Sequence, residues 1–215
     1  MIIDHTNDRW RMRWRNLFQN KVNGEYYYSQ EIVKNIIPNV ETDRTWITVN
    51  IPEVDANHSI LFIHHNLSTA RYEWLRQYKD VVLVCGVPET CEKIAHLGTP
   101  IYLPLSVDLR ELEKYRTEKT REAAYVGREA KLRYEGVSLP EGVDIIAGMD
   151  RDRLLQEMAK YKKVYAVGRT ALEAKALGAE ILPYDPRFPD PSVWKVLDNR
   201  EAAKILQAKL DEIDK

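Results

Sequence analysis

The sequence predicts an α/β fold with mostly parallel sheets, divided between two small lobes. Three observations carry that expectation. Short apolar runs rich in β-branched residues alternate with amphipathic stretches along the whole chain, as βα units do. At 215 residues the chain is long enough for one generous α/β domain or two of roughly 100 residues each. A strongly charged segment, Leu109 to Arg121, helical by composition, sits between two groups of these units, where an interdomain connector is expected.

In the first group, strands are expected at Met1 to Asp4, Tyr26 to Tyr28, Trp46 to Ile51, Ile60 to His64, Val81 to Cys85 and Ile101 to Leu103. Helices fill the gaps at Asp8 to Asn20, Ser29 to Ile36, Ser68 to Tyr78 and Pro88 to His96. The last opens with proline in its first turn and closes at Gly98. After the charged connector, strands are expected at Ala123 to Val126, Val143 to Ala147, Lys163 to Val167 and Glu180 to Pro183. Helices follow at Asp150 to Lys160 and Thr170 to Leu177, the second stopped by Gly178. Pro183, Pro186, Pro189 and Pro191 break regular structure before a last amphipathic helix, Asn199 to Ile213. The expected division is 1–108, 109–198 and the C-terminal helix 199–215.

Composition narrows the function. Hydrophobic residues are 44% and charged residues 30% of the chain, which excludes bulk disorder. No apolar run approaches the roughly 18 to 20 residues of a membrane span, and the N-terminus lacks the features of a signal peptide. A cytoplasmic protein is expected. The two cysteines, Cys85 and Cys91, lack the spacing of a structural zinc site and are expected to be reduced, with Cys85 a packing residue. A formal net charge of -1 argues against a wholesale nucleic-acid-binding surface.

Ligands of open parallel sheets bind beyond the carboxyl ends of the strands, so the residues after each strand are the candidates. Ile60 to Ile63 runs into His64-His65-Asn66, which places two imidazoles where a strand meets a helix. One of them can act as a base or sugar ligand, or simply bond backbone in the turn. Ala123 to Val126 ends in Gly127-Arg128-Glu129-Ala130-Lys131, a tight turn followed by cations suited to phosphate. Lys163 to Val167 ends in Gly168-Arg169-Thr170. Thr170 can cap the next helix, whose N–H groups and dipole favour an anion. Glu173, one turn further in, can accept hydrogen bonds from the vicinal hydroxyls of a ribose.

Tyr125-Val126-Gly127-Arg128 and Arg169-Thr170-Ala171-Leu172-Glu173-Ala174-Lys175-Ala176-Leu177-Gly178 resemble, in order and spacing, the C-terminal half of GT-B glycosyltransferases related to glycogen and sucrose synthases. Pro104-Leu105-Ser106-Val107-Asp108 is similar to that family's interdomain connection, and the likeness covers Ile60 to about Pro183. The resemblance implies two Rossmann-like lobes and a nucleotide-sugar donor held without a metal or other cofactor. It implies that Arg128 and Lys131 neutralise the donor diphosphate, with Arg133 a rival to Lys131. Gly168, Arg169 and Thr170 then lie against phosphate or sugar, Glu173 binds ribose, and His64 or His65 faces the sugar. The family's other glutamate falls at Ala166 and is missing, which leaves inversion or retention open.

The sugar and the acceptor are unassigned. A noncatalytic nucleotide or nucleotide-sugar binding protein is the main alternative, because the chain is much shorter than the family's members. Nucleic-acid modification is a less favoured one. It draws on Arg9-Trp10-Arg11-Met12-Arg13-Trp14-Arg15, which reads more readily as a packed helix with solvated arginines. Asp4, His5 and Asn7 follow the first strand and are placed to approach an acceptor. Tyr26-Tyr27-Tyr28 reads as core, and Tyr184-Asp185-Pro186-Arg187 is a weak candidate for base or sugar contact. A homodimer that completes the acceptor site is left open.

Overall fold

The computed structural model describes residues 1–3, 29–48, 54–64, 69–129, 132, 138–186 and 190–215. The helix expected at Asp8 to Asn20, the strand at Tyr26 to Tyr28, the Arg9 to Arg15 segment and Asp4, His5 and Asn7 lie outside the described residues. The chain is α/β with mostly parallel sheets, and two compact units divide it. The described residues up to Leu105, together with Asn199–Lys215, form the first unit, and Ser106–Asp198 belong to the second.

The first unit is built on five parallel strands in chain order: β1 (Ile2–Ile3), β2 (Thr45–Ile47), β3 (Ser59–Ile63), β4 (Val81–Cys85) and β5 (Thr99–Tyr102). Every residue of β3 and β4 is buried, as their unbroken apolar sequences require of strands covered on both faces. Leu61, Ile63, Leu83 and Cys85 face a core with Tyr72, Leu75, Ile94 and Leu97. Tyr72 and Leu75 come from a 3₁₀ segment, Ala70–Gln77, and Ile94 from α1 (Pro88–Ile94). Cys85 and Cys91 are both buried free thiols, and burial pushes the Cys85 thiol up.

The sequence from Ser29 on is helical, with a π-turn at Ile32–Ile36 running into a 3₁₀ turn at Ile37–Asn39. The last helix of the chain, Asn199–Ile213, packs on this segment and buries Ala202, Ala203, Leu206 and Leu210. Asn199 Nδ2 donates to Glu31 Oε2 at 2.9 Å within that contact.

An ionic cluster lies at the amino ends of the strands, away from where ligands of such sheets bind. His58 precedes β3 and holds two carboxylates: Nδ1 meets Asp80 Oδ2 at 2.6 Å, and Nε2 meets Asp43 Oδ1 at 3.0 Å. Arg44, buried before β2, donates to Asp80 Oδ1 and to Asp214 Oδ1, each at 2.7 Å. Asp80 first, then Asp43, raises the His58 pKa above its ordinary value. The hydrogen bond from His58 is the leading cause that lowers both carboxylates.

His58 stabilisation is therefore complete below its unfolded pKa of about 6.5 and is lost as pH rises through the higher folded value. The aspartate contribution is complete above about 3.9 and is lost as pH falls through the depressed folded values. Stability is expected to peak in the mildly acidic range between these limits. The urea midpoint should fall as pH rises from about 6.5 through the raised His58 pKa, with small amplitude because His58 is half exposed. His58→Asn tolerates the positive φ of 48° and should flatten that fall. Equal slopes in the two proteins would discard the assignment.

The second unit has a four-stranded parallel sheet and a short parallel pair. The pair is β6 (Ser106–Val107) with β11 (Leu197–Asp198). The sheet contains β7 (Arg121–Val126), β8 (Asp144–Ile146), β9 (Tyr161–Tyr165) and β10 (Glu180–Leu182), in the order β10-β9-β7-β8. Helices α2 (Leu109–Glu113), α3 (Arg151–Met158) and α4 (Gly168–Ala176) accompany it, and the chain's last helix, Asn199–Ile213, is α5. Asp108 and Asp150 cap α2 and α3 by accepting from the backbone N–H three residues on.

The helix expected over Leu109 to Arg121 ends at Glu113. Two of its cations serve other helices: Arg116 donates to the carbonyl of Ala176 and Lys119 to that of Ala159, at the carboxyl ends of α4 and α3.

Candidate functional site

In the second sheet, β7 has β8 on one side, whereas β9 and β10 lie on the other, so the strand order reverses between β7 and β9. An open parallel sheet leaves a crevice at such a switch point, beyond the carboxyl ends of the two strands. The register Ala124↔Val164 and Tyr125↔Tyr165 brings those ends level. Gly127-Arg128 therefore emerges beside Val167-Gly168-Arg169-Thr170. Among the described strands of the first sheet, which run in chain order, there is no such reversal.

The turn after β7 needs glycine for a steric reason. The Tyr125 hydroxyl folds back to donate to the Arg128 carbonyl at 3.0 Å, and the ring of Tyr184 closes on Tyr125 edge-on at 5.1 Å between centroids. A Cβ at position 127 would stand 2.5 Å from that hydroxyl and 2.8 Å from ring carbon Cζ. Arg128 is exposed beyond this turn.

The turn after β9 needs glycine for a conformational reason. Gly168 has φ +59° with open space where a Cβ would project, and α4 starts there rather than at Thr170. The N-cap is Val167, whose side chain makes no capping hydrogen bond, and Thr170 is the third helical residue. The helix begins three residues before the position a Thr170 cap would require, so the expected threonine cap is replaced by a bare helix start. The positive end of the α4 dipole lies beyond the carboxyl end of β9.

Glu173 is buried, with its side chain only 5% exposed. Its Oε1 receives Arg151 Nη1 at 2.7 Å and Arg169 Nη2 at 2.9 Å. Arg151 also reaches Glu111 Oε2 at 3.4 Å, so one guanidinium joins α2, α3 and α4. Arg169 reaches along its own helix to the carboxylate four residues on, an i,i+4 pair in the less favourable order, with the cation at the positive end of the helix.

His64 is half-buried at the end of β3 in the first unit. Its Nε2 donates to the Thr48 carbonyl at 2.7 Å and its backbone N–H to the Tyr72 hydroxyl at 3.3 Å. That bond sets the imidazole as the Nε2–H form. His65, Lys131, Arg133 and Arg187 lie outside the described residues.

The switch point thus gathers Arg128, Gly168, Arg169, Thr170 and Glu173 in one unit. The sequence reading missed Arg151, Glu111 and the Tyr125–Tyr184 contact. Arg151 carried a signal: a cation in the first turn of a helix opposes the dipole and calls for a carboxylate elsewhere. No family model matches the chain, and no curated protein or solved structure is significantly similar to it. Among the described residues no helix is long and apolar enough to cross a membrane.

Proposed function

We propose that the second unit binds the nucleoside diphosphate of a nucleotide sugar and that the chain is a glycosyltransferase of GT-B type. The observation that supports this most is the placement of Gly127-Arg128 and Gly168-Arg169 on either side of one switch point, with a bare helix start at Gly168 and a carboxylate one turn in. Transfer breaks the bond from the sugar's anomeric carbon to the diphosphate and forms one to an acceptor hydroxyl. The negative charge gathers on the departing diphosphate, where Arg128 and the α4 N-terminus stabilise it without calling on a metal. His64 or His65, or a carboxylate near the N-terminus, accepts the acceptor's proton in this reading.

One observation favours a second reading, a nucleotide-binding protein without transfer activity: with Nε2–H given to the Thr48 carbonyl, the nitrogen left to take a proton is Nδ1, and it is buried.

Thermal-shift and calorimetric titrations with UDP, GDP, ADP, CMP and their sugar conjugates test the shared part of both readings. Selective binding of one nucleoside diphosphate is expected, weakened on the order of 10- to 100-fold by Arg128→Ala through loss of a charge-assisted contact. Sugar transfer or donor hydrolysis then separates the enzyme from the binder. Absence of binding to every nucleotide would remove both.

A further inference from the structure

We propose that Arg169 is a phosphate-dependent cover on Glu173, which makes the site selective for ribonucleosides that carry a phosphate. The proposal rests on the nucleotide reading above. With its side chain 5% exposed, Glu173 cannot meet a ribose hydroxyl until a neighbour moves. Both guanidiniums sit on Oε1, and they are held differently. Arg151 enters from α3 and is tied to Glu111 as well as Glu173. Arg169 is on α4 itself, next to Gly168 at the head of the helix, where an anion is favoured.

A change of side-chain rotamer takes the Arg169 guanidinium from Glu173 to the helix head with the backbone unmoved. Arg–carboxylate and Arg–phosphate contacts are both charge-assisted and close in strength, so a bound phosphate makes the exchange nearly even. Glu173 is not stranded by it, because Arg151 continues to balance its charge. A bare nucleoside offers Arg169 nothing in return. It must displace a guanidinium whose side chain is 11% exposed and leave that charge uncompensated.

Calorimetric titrations of wild type, Arg169→Met and Arg128→Ala with UDP, ADP and GDP, the matching ribonucleosides and their 2′-deoxy forms test the cover. In wild type, the bound diphosphate should exceed its bare ribonucleoside by on the order of 100-fold or more. Arg169→Met should weaken the diphosphate by about tenfold and tighten the ribonucleoside by about tenfold. The gain should be absent for 2′-deoxyribonucleosides and absent when Glu173→Gln is combined with it. Arg128→Ala should weaken the diphosphate and leave the ribonucleoside as in wild type.

Arg169→Lys keeps the charge without the fork and should move both affinities the same way by less. It carries the test if the methionine variant does not fold. A ribonucleoside affinity that is unchanged or weaker in the Arg169 variants, with the diphosphate still bound by wild type, overturns the cover and leaves the nucleotide reading standing. Failure of wild type to bind any nucleotide overturns both.

Discussion

Glu173→Ala is expected to lower the unfolding free energy by about 3 kcal/mol, because removing one member of a buried ion-pair network strands the others. The guanidiniums of Arg151 and Arg169 converge on Oε1 with side chains 12% and 11% exposed. Neither can recover full hydration where it sits. Arg151 retains Glu111 at 3.4 Å, which places the cost at the lower end of the range for such networks. Glu173→Gln keeps an acceptor oxygen in the same place and removes only the charge, so about half the loss is expected. Urea denaturation of the three proteins measures both numbers. A loss in Glu173→Ala below about 1 kcal/mol would show that the cluster is solvated in solution. The comparison also bears on binding: a nucleotide lost in Glu173→Ala alone reports a collapsed site, whereas one lost in a stable Glu173→Gln reports the carboxylate.

Gly127→Ala is expected to destabilise by about 2 kcal/mol and to weaken nucleotide binding with it, the range for forcing a methyl group into a packed position. The obstacle is the Tyr125 side chain, whose hydroxyl and Cζ lie 2.5 and 2.8 Å from the new carbon. That ring is fully buried and pressed by Tyr184, so it cannot swing aside. Tyr125→Phe alone leaves the Arg128 carbonyl without its donor, at a cost of about 1 kcal/mol. In the double variant the nearer of the two clashes is gone, and the combined cost should fall short of the sum by about 1 kcal/mol. Strict additivity in denaturation experiments would refute the steric account.

Much of the fold is legible because the apolar pattern is strong where the sheets are deepest. Ser59–Ile63 and Val81–Cys85 are buried residue by residue and could be read from composition alone. The Gly168 helix is legible from the glycine before it and from Gly178 at its end, but its first residue is not, since a left-handed φ leaves no mark beyond the glycine itself. The β6–β11 pair escaped because two-residue strands carry no period to detect. The charged stretch after Glu113 reads as part of a helical connector by its composition. The destinations of Arg116 and Lys119, carbonyls at the ends of helices forty or more residues away, are set by tertiary structure. The candidate site divides the same way. Its glycines and cations sit at strand ends and announce themselves, whereas the pairing of Glu173 with Arg151 depends on two helices meeting, which no local pattern records.

The discontinuity of the first unit has a consequence for synthesis. Residues 106–198 emerge from the ribosome as an uninterrupted stretch, and the register Ser106↔Leu197 and Val107↔Asp198 joins its two ends as neighbours. That stretch can close before α5 has been made. The first unit begins earlier yet must wait, because α5, which packs on the Ile32–Asn39 segment and buries Ala202, Ala203, Leu206 and Leu210, is made only after residues 106–198. The older half of the nascent chain is therefore the later to mature. Until α5 arrives, it holds an apolar surface open to chaperones and proteases.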